Sequence, residues 1–278
     1  HCVTRRQRQM CIRDSGEAIE NFFHPLLMFL KWFQDLLIET PWPLILVILG
    51  ALSWWGSRSW KMVVGTVLAF LFIGWLDMWE DTMATLAIVS VATLLCIAIG
   101  IPIGILMARS DRVQAMILPV LDIMQTIPSF VYLIPVVMLL GIGKVPGLLA
   151  VMIYAIPPIV RLTNLGIRLV DKEVLEAADA FGSSYRQKLF QVQIPLALPN
   201  IFAGVNQTIM MALSMVVIAA MIGVPGLGVP VLRAVSNQYL ALGVMNGLAI
   251  VAIAIIFDRV SQAFGKRLQK HREGEHGA

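Results

Sequence analysis

Long apolar runs separated by short polar stretches dominate this chain. Seven of them, at residues 43–55, 62–76, 83–107, 116–140, 148–160, 201–222 and 242–257, are too continuous for the alternating pattern of an outer-membrane strand. A helix needs roughly 20 mostly apolar residues to cross the hydrocarbon core, and lipid-facing backbone must satisfy its own hydrogen bonds. Each run therefore predicts a transmembrane helix, the short first and fifth borrowing flanking residues or tilting neighbours to fit. Ahead of them, Glu20, His24, Lys31 and Asp35 recur opposite Phe22, Phe23, Leu26, Phe29, Leu30 and Phe33. That spacing predicts an amphipathic helix over 19–38, lying in the interface.

Composition adds the fold class. With 58% hydrophobic and 14% charged residues and a mean hydropathy of +0.81, the chain reads as an all-α integral membrane protein rather than a soluble domain. Its basic residues then orient it. One set of loops carries Arg58, Lys61, Arg109, Arg112, Arg161, Arg168, Lys172, Arg186, Lys188, Arg259, Lys266, Arg267, Lys270 and Arg272, and the alternate set only Lys31, Lys144 and Arg233. By the positive-inside rule the first set is cytoplasmic, which predicts the N-terminus outside and the C-terminus inside. Residues 1–16 carry four arginines on the wrong side for that topology and lack a signal-peptide core, so they are expected to be a non-native leader, with a genuine basic arm as the alternative. The expected divisions are that leader, an interfacial helix over 17–40, peripheral spans over 41–81, a core over 82–262 containing a cytoplasmic loop at 170–196, and a basic tail over 263–278.

Several chemistries find no support. Cys2, Cys11 and Cys96 form no disulfide or thiolate framework, and the four histidines have no metal-ligand spacing. Gly141-Ile-Gly-Lys144 lacks the spacing and the following Ser or Thr of a phosphate loop, so the chain is expected to bind no cofactor and hydrolyse no ATP. No nucleophile–base pair or metal constellation can be assembled in the spans, and no nucleic-acid partner is expected.

The stretch Glu176-Ala-Ala-Asp-Ala-Phe-Gly182, followed after nine residues by Val192-Gln-Ile-Pro195, stands out as a polar, helix-forming segment between apolar ones. Alanine and glutamate favour helix, Gly182 can end one in the left-handed conformation, and Ser183 or Ser184 can cap the next. Two short helices joined at glycine are predicted. The pattern resembles the "EAA" loop of ABC importer permeases, with Val192 and Ile194 replacing the usual Ile and Leu. That resemblance implies a type I ABC importer permease fold and a loop, marked by Glu176, Ala177, Ala178, Gly182 and Pro195, that docks into an ATPase subunit.

A second resemblance covers residues 83–264. Gln125-Thr-Ile-Pro-Ser-Phe130, Gly141-Ile-Gly-Lys-Val-Pro-Gly147, Ile156-Pro-Pro-Ile-Val-Arg161 and the run from Gly204 to Val217 look like the permease of glycine betaine/proline betaine importers. It implies an inner-membrane subunit importing compact quaternary ammonium solutes, working as a homodimer with two cytoplasmic ATPases and an extracytoplasmic binding protein. ATP and Mg would sit on the ATPase.

The intramembrane polar residues admit two readings. Gln125, Thr126 and Ser129 near Pro128, and Asn206, Thr208 and Ser214 in the sixth run, either line a translocation pathway or hydrogen-bond helix to helix. Asp122 either pairs with a base, Arg112 being nearby in sequence, or contacts a gate. Gly100-x-x-x-Gly104 and Gly243-x-x-x-Gly247 offer small faces for close packing. A secondary transporter with broken helices and a coupling ion is the rival class, disfavoured because no internal repeat is seen and the docking-type loop would have no use.

Overall fold

The computed structural model describes residues 24–273. The expectations for residues 1–16, for the first seven positions of the interfacial segment and for the last five of the tail lie outside the described residues. All regular structure among the described residues is helical, in the order α1 (His24–Glu39), α2 (Trp42–Ser57), α3 (Trp60–Trp75), α4 (Trp79–Arg109), α5 (Asp111–Thr126), α6 (Ser129–Leu140), α7 (Lys144–Arg168), α8 (Lys172–Ala180), α9 (Tyr185–Gln187), a π-helical stretch (Lys188–Gln193), α10 (Ile194–Ala219), α11 (Gly228–Asn237) and α12 (Leu240–Glu273).

Four of these segments are long and apolar enough to cross a membrane: Trp79–Arg109, Lys144–Arg168, the continuous Tyr185–Ile222 and Leu240–Ala263. Two bent pairs meet the same test jointly, α1 with α2 at 108° and α5 with α6 at 102°, while α3 is a shorter apolar helix. The second bend corrects the sequence reading of 116–140 as one uninterrupted span. Its cause is Pro128: the residue before a proline is pushed out of the helical region, and Ile127 is extended at φ −67°, ψ 128°. The short fifth run, by contrast, is the middle of the 25-residue α7.

The packed centre is made by α4, α7 and α10, and small residues are what let these helices approach. A methyl group at Gly100 would lie 2.4 Å from the Ile159 side chain, and one at Gly104 would lie 2.6 Å from Thr163 Cβ and 2.8 Å from the Val160 carbonyl. Gly166 and Gly204 play the same part between α7 and α10, meeting Asn200 Cβ at 2.8 Å and Ile159 Cα at 3.1 Å. The Gly100/Gly104 face thus packs as its spacing predicts. Of the second small-residue pair only Gly243 is close to a neighbour, at 3.1 Å from Ala234, and Gly247 faces open space. At the opposite end from the 170–196 loop, Lys144 donates to Gln34 Oε1 of α1 at 2.7 Å, tying α1 to the start of α7.

Candidate coupling loop and translocation cleft

The loop at 170–196 is built by local sequence. Asp171 caps α8 by accepting from the Glu173 amide at 3.1 Å, and the helix ends in a left-handed Gly182 at φ +76°. The Gly182 and Ser183 amides donate back to the Asp179 and Ala178 carbonyls, satisfying groups the helix end would otherwise leave open. Ser184 then opens the next helix with a complete capping box: its hydroxyl accepts from the Gln187 amide, and Gln187 Oε1 accepts from the Ser184 amide at 2.8 Å. Lys188 holds both Asp179 carboxylate oxygens at 2.7 and 2.8 Å, clamping the two helices across the turn.

The second helix is not the short separate piece expected from sequence. It runs through the π-helical stretch into α10 as one continuous 38-residue segment. Pro195 gives the reason, because a proline inside a helix has no N–H and crowds the carbonyl one turn back. The wider turn, with the Ile194 amide donating to the Leu189 carbonyl, takes up the mismatch without breaking the rod. Glu176 and Ala177 are exposed, Ala178 is half-buried, and Gly182 is exposed with open space about it. Phe181, not among the predicted contacts, stands 91% exposed at the tip. Tyr185 lies under the Arg109 guanidinium, 4.3 Å from ring centre to Arg109 Cζ, and so links the loop to the end of α4.

The intramembrane polar residues do not form one group. Gln125 of α5 lines a cleft of about 430 Å³ with Gln114, Pro158, Arg161, Asn164 and Gln207. Asn206, one position from Gln207, turns toward α12 instead, where its Nδ2 donates to Asp258 Oδ1 at 2.7 Å and Gln262 Nε2 does the same. Thr126 and Ser214 bond their own helices, to the Ile123 and Met210 carbonyls, both at 3.0 Å. Ser129 is half-buried in the first turn of α6. Thr208 is wholly buried and does not line the cleft, its hydroxyl unpaired among the described residues. The exposed stripe of α10 runs instead through Ala203, Gln207, Met210 and Ser214.

Arg161 corrects the sequence reading. Counted there as a loop base, it lies inside α7, seven residues before Arg168 and so about 10 Å from the helix end. It forms a salt bridge with Asp122 of α5. Asp122 therefore pairs with a base, but with one from α7 rather than Arg112. Arg168 makes the companion contact nearer the end, to Asp111 at 2.7 Å and to the Met107 carbonyl at 3.0 Å, joining α4, α5 and α7.

Residues 100–270 match the family model described as "Binding-protein-dependent transport system inner membrane component". The chain is 50% identical over 242 residues, 87% of its own length and 68% of the relative's, to the glycine betaine/proline betaine transport system permease protein ProW of Escherichia coli (strain K12). It is 47% identical to the glycine betaine/carnitine transport permease protein GbuB of Listeria monocytogenes, over 90% of this chain and 89% of that one. In three dimensions it resembles a chain of the inward-facing MetNI methionine ABC transporter, with a TM-score of 0.61 at 18% identity, covering 66% of this chain and 93% of the other. The fold is that of a type I ABC importer permease, and the chain belongs to the family of inner-membrane components of binding-protein-dependent transport systems.

Proposed function

We propose that this chain is the membrane subunit through which an ATP-driven importer moves quaternary ammonium osmoprotectants, of the class of glycine betaine, proline betaine, carnitine or choline. The observation that carries the ATP-driven part is the α8–Gly182–α9 loop. It presents Glu176 and an uncovered aromatic, Phe181, at its tip, and it continues without a break into α10, whose Gln207 lines the cleft. An exposed large aromatic on a capped, rigid turn is the kind of anchor that fills a pocket on a partner. A push on that turn would be transmitted along a helix rather than lost in a flexible connection. The solute class rests on the relatives named for glycine betaine.

In this reading the chain works with a second copy of itself, cytoplasmic ATPases that hold ATP and Mg, and an extracytoplasmic binding protein. It performs no chemistry of its own. A quaternary ammonium has no N–H to donate, so selective capture favours an aromatic cage, and capture is assigned to the binding protein. Seven spans, with the N-terminus outside, put the 170–196 loop on the ATPase side. Labelling of a single cysteine at Ser183 by an impermeant reagent from outside sealed cells would reverse that orientation. The direct experiment is uptake in proteoliposomes: the complete complex accumulates labelled glycine betaine when ATP is supplied, and the lone permease does not. Uptake by the lone chain on a sodium or proton gradient would establish a secondary transporter instead.

A further inference from the structure

Among the described residues, Arg161 is the one charged side chain lining the 430 Å³ cleft between α5, α7 and α10. The other polar groups there are amides: Gln114, Gln125, Asn164 and Gln207. Asn164 Oδ1 accepts from Arg168 Nε at 3.2 Å. Arg161 Nη2 donates to Asp122 Oδ1, but its Nε is buried and finds no acceptor among the described residues. Asp122 does not itself line the cleft but stands on α5 one turn from Leu118 and Gln125, which do, with its side chain 62% exposed. A guanidinium in the cleft wall, its counter-carboxylate beside the cleft and within reach of solvent, and three glutamine amides with no partner among the described residues therefore lie close together.

We infer that this cleft is a low-affinity resting site for a zwitterion, with Arg161 taking the carboxylate and Asp122 the quaternary ammonium. The inference rests on the transport reading above and adds to it a place where the solute pauses inside the permease. The physical argument is exchange. A zwitterion entering between Asp122 and Arg161 supplies each with a new partner of the right sign, so neither charge loses its compensation. A solute carrying only the cation, or only the carboxylate, opens the same ion pair and leaves one member alone, which is costly when partly buried. A guanidinium offers paired donors in the geometry of a carboxylate. The quaternary ammonium needs no directional acceptor, which suits the exposed carboxylate of Asp122. Because one ion pair is traded for two, the net gain is small, and weak binding is what a pathway that must release its cargo requires.

The test uses the purified permease–ATPase complex in lipid nanodiscs without binding protein, and saturation-transfer NMR with three probes. These are glycine betaine, choline as a cation without carboxylate, and 3,3-dimethylbutanoate, which has the shape and carboxylate of glycine betaine but no positive charge. Glycine betaine is expected to saturate with a Kd of roughly 1 mM, and each single-charge probe to bind roughly tenfold more weakly. Arg161→Gln should remove saturation by glycine betaine, and Asp122→Asn should lower it to the level of 3,3-dimethylbutanoate. Arg161→Lys, which keeps the charge and loses the fork, should fall between wild type and Arg161→Gln. If Arg161→Gln fails to copurify with the ATPase, the other two variants carry the test. Equal binding of the three probes, no saturable binding of any, or unchanged glycine betaine binding in the variants overturns the site. ATP-driven uptake by the wild-type complex with its binding protein is measured in parallel: uptake without cleft binding overturns the site alone, and no uptake of any quaternary solute overturns the transport reading itself.

Discussion

Helices α7 and α12 make an instructive pair. Lys144–Arg168 is the less apolar of the two, with a mean hydropathy of 1.8 against 2.5 for Leu240–Ala263, yet 61% of its most apolar window is buried within the chain against 17%. Hydropathy therefore ranks which segments can cross a bilayer and says nothing about which sit at the centre. The reason is that lipid tails are as apolar as a protein interior, so no hydrophobic drive sorts one span inward and another outward. What places α7 centrally is steric. Gly100, Gly104 and Gly204 on its neighbours, and Gly166 on α7 itself, remove the side chains that would hold the backbones apart. The central position also lets α7 carry Arg161, Thr163 and Asn164, which an outer helix would have to offer to lipid.

The contrast breaks first at Gly104. Leucine there would drive its Cβ into Thr163 and the Val160 carbonyl, and backbone cannot yield as a side-chain tip can. Gly104→Leu is expected to cut the yield of folded permease at least roughly tenfold, as overpacking of a tight contact does. Fluorescence-detected size exclusion measures this, and near-normal yield would show that α4 and α7 are not held by the glycine face.

A smaller effect, confined to function, is expected at the loop, where Gly182 has space around it but a φ of +76°. A β-branched residue in the left-handed region costs about 1–2 kcal/mol. Gly182→Val should leave membrane insertion intact while lowering ATP-driven uptake roughly tenfold. Normal uptake together with normal substrate-stimulated ATP hydrolysis would remove the turn from the coupling path.

Phe181→Ala is expected to weaken ATPase binding by about five- to tenfold, the loss typical of an exposed anchor that fills a partner's pocket. Pull-down of the ATPase by permease in nanodiscs reads this, and unchanged affinity would return Phe181 to the ordinary exposed surface. The smallest effect belongs to α12. Gly247→Leu adds a side chain where nothing lies within 4 Å, so yield and uptake should stay within about twofold of wild type. A loss comparable to that of Gly104→Leu would mean that α12 is covered in the assembled complex, and would end the contrast with α7.

The α8–Gly182–α9 turn was legible because its determinants are local. Alanine and glutamate in α8, the left-handed Gly182 and the cap at Ser184 act within a few residues of one another, so their order along the chain is their order in space. The cleft was not legible in the same way. Gln125 and Gln207 come from helices far apart in sequence and meet only through the packing of α5, α7 and α10, whereas Asn206, beside Gln207, faces Asp258 instead. A helix turns each successive residue by about 100°, so neighbours in sequence serve different walls, and no polar pattern shows which wall will be a cavity. Arg161 was miscounted because a tally of basic residues does not separate a helix interior from a loop. The one available signal was its place three residues after Pro158 at the end of an apolar run.

By itself the sequence determined that the chain is a multi-helix membrane protein, where most of its helices lie, and that a capped helix–glycine–helix turn interrupts them. These follow from hydropathy and local backbone preference, which need no knowledge of neighbours. Only the tertiary structure decided that 116–140 bends by 102° at Pro128, that α7 lies inside and α12 outside, and that Arg161 of α7 finds Asp122 of α5. Each of those depends on which surfaces fit closely enough to exclude lipid, and shape complementarity between distant segments is not written in the residues of either one alone.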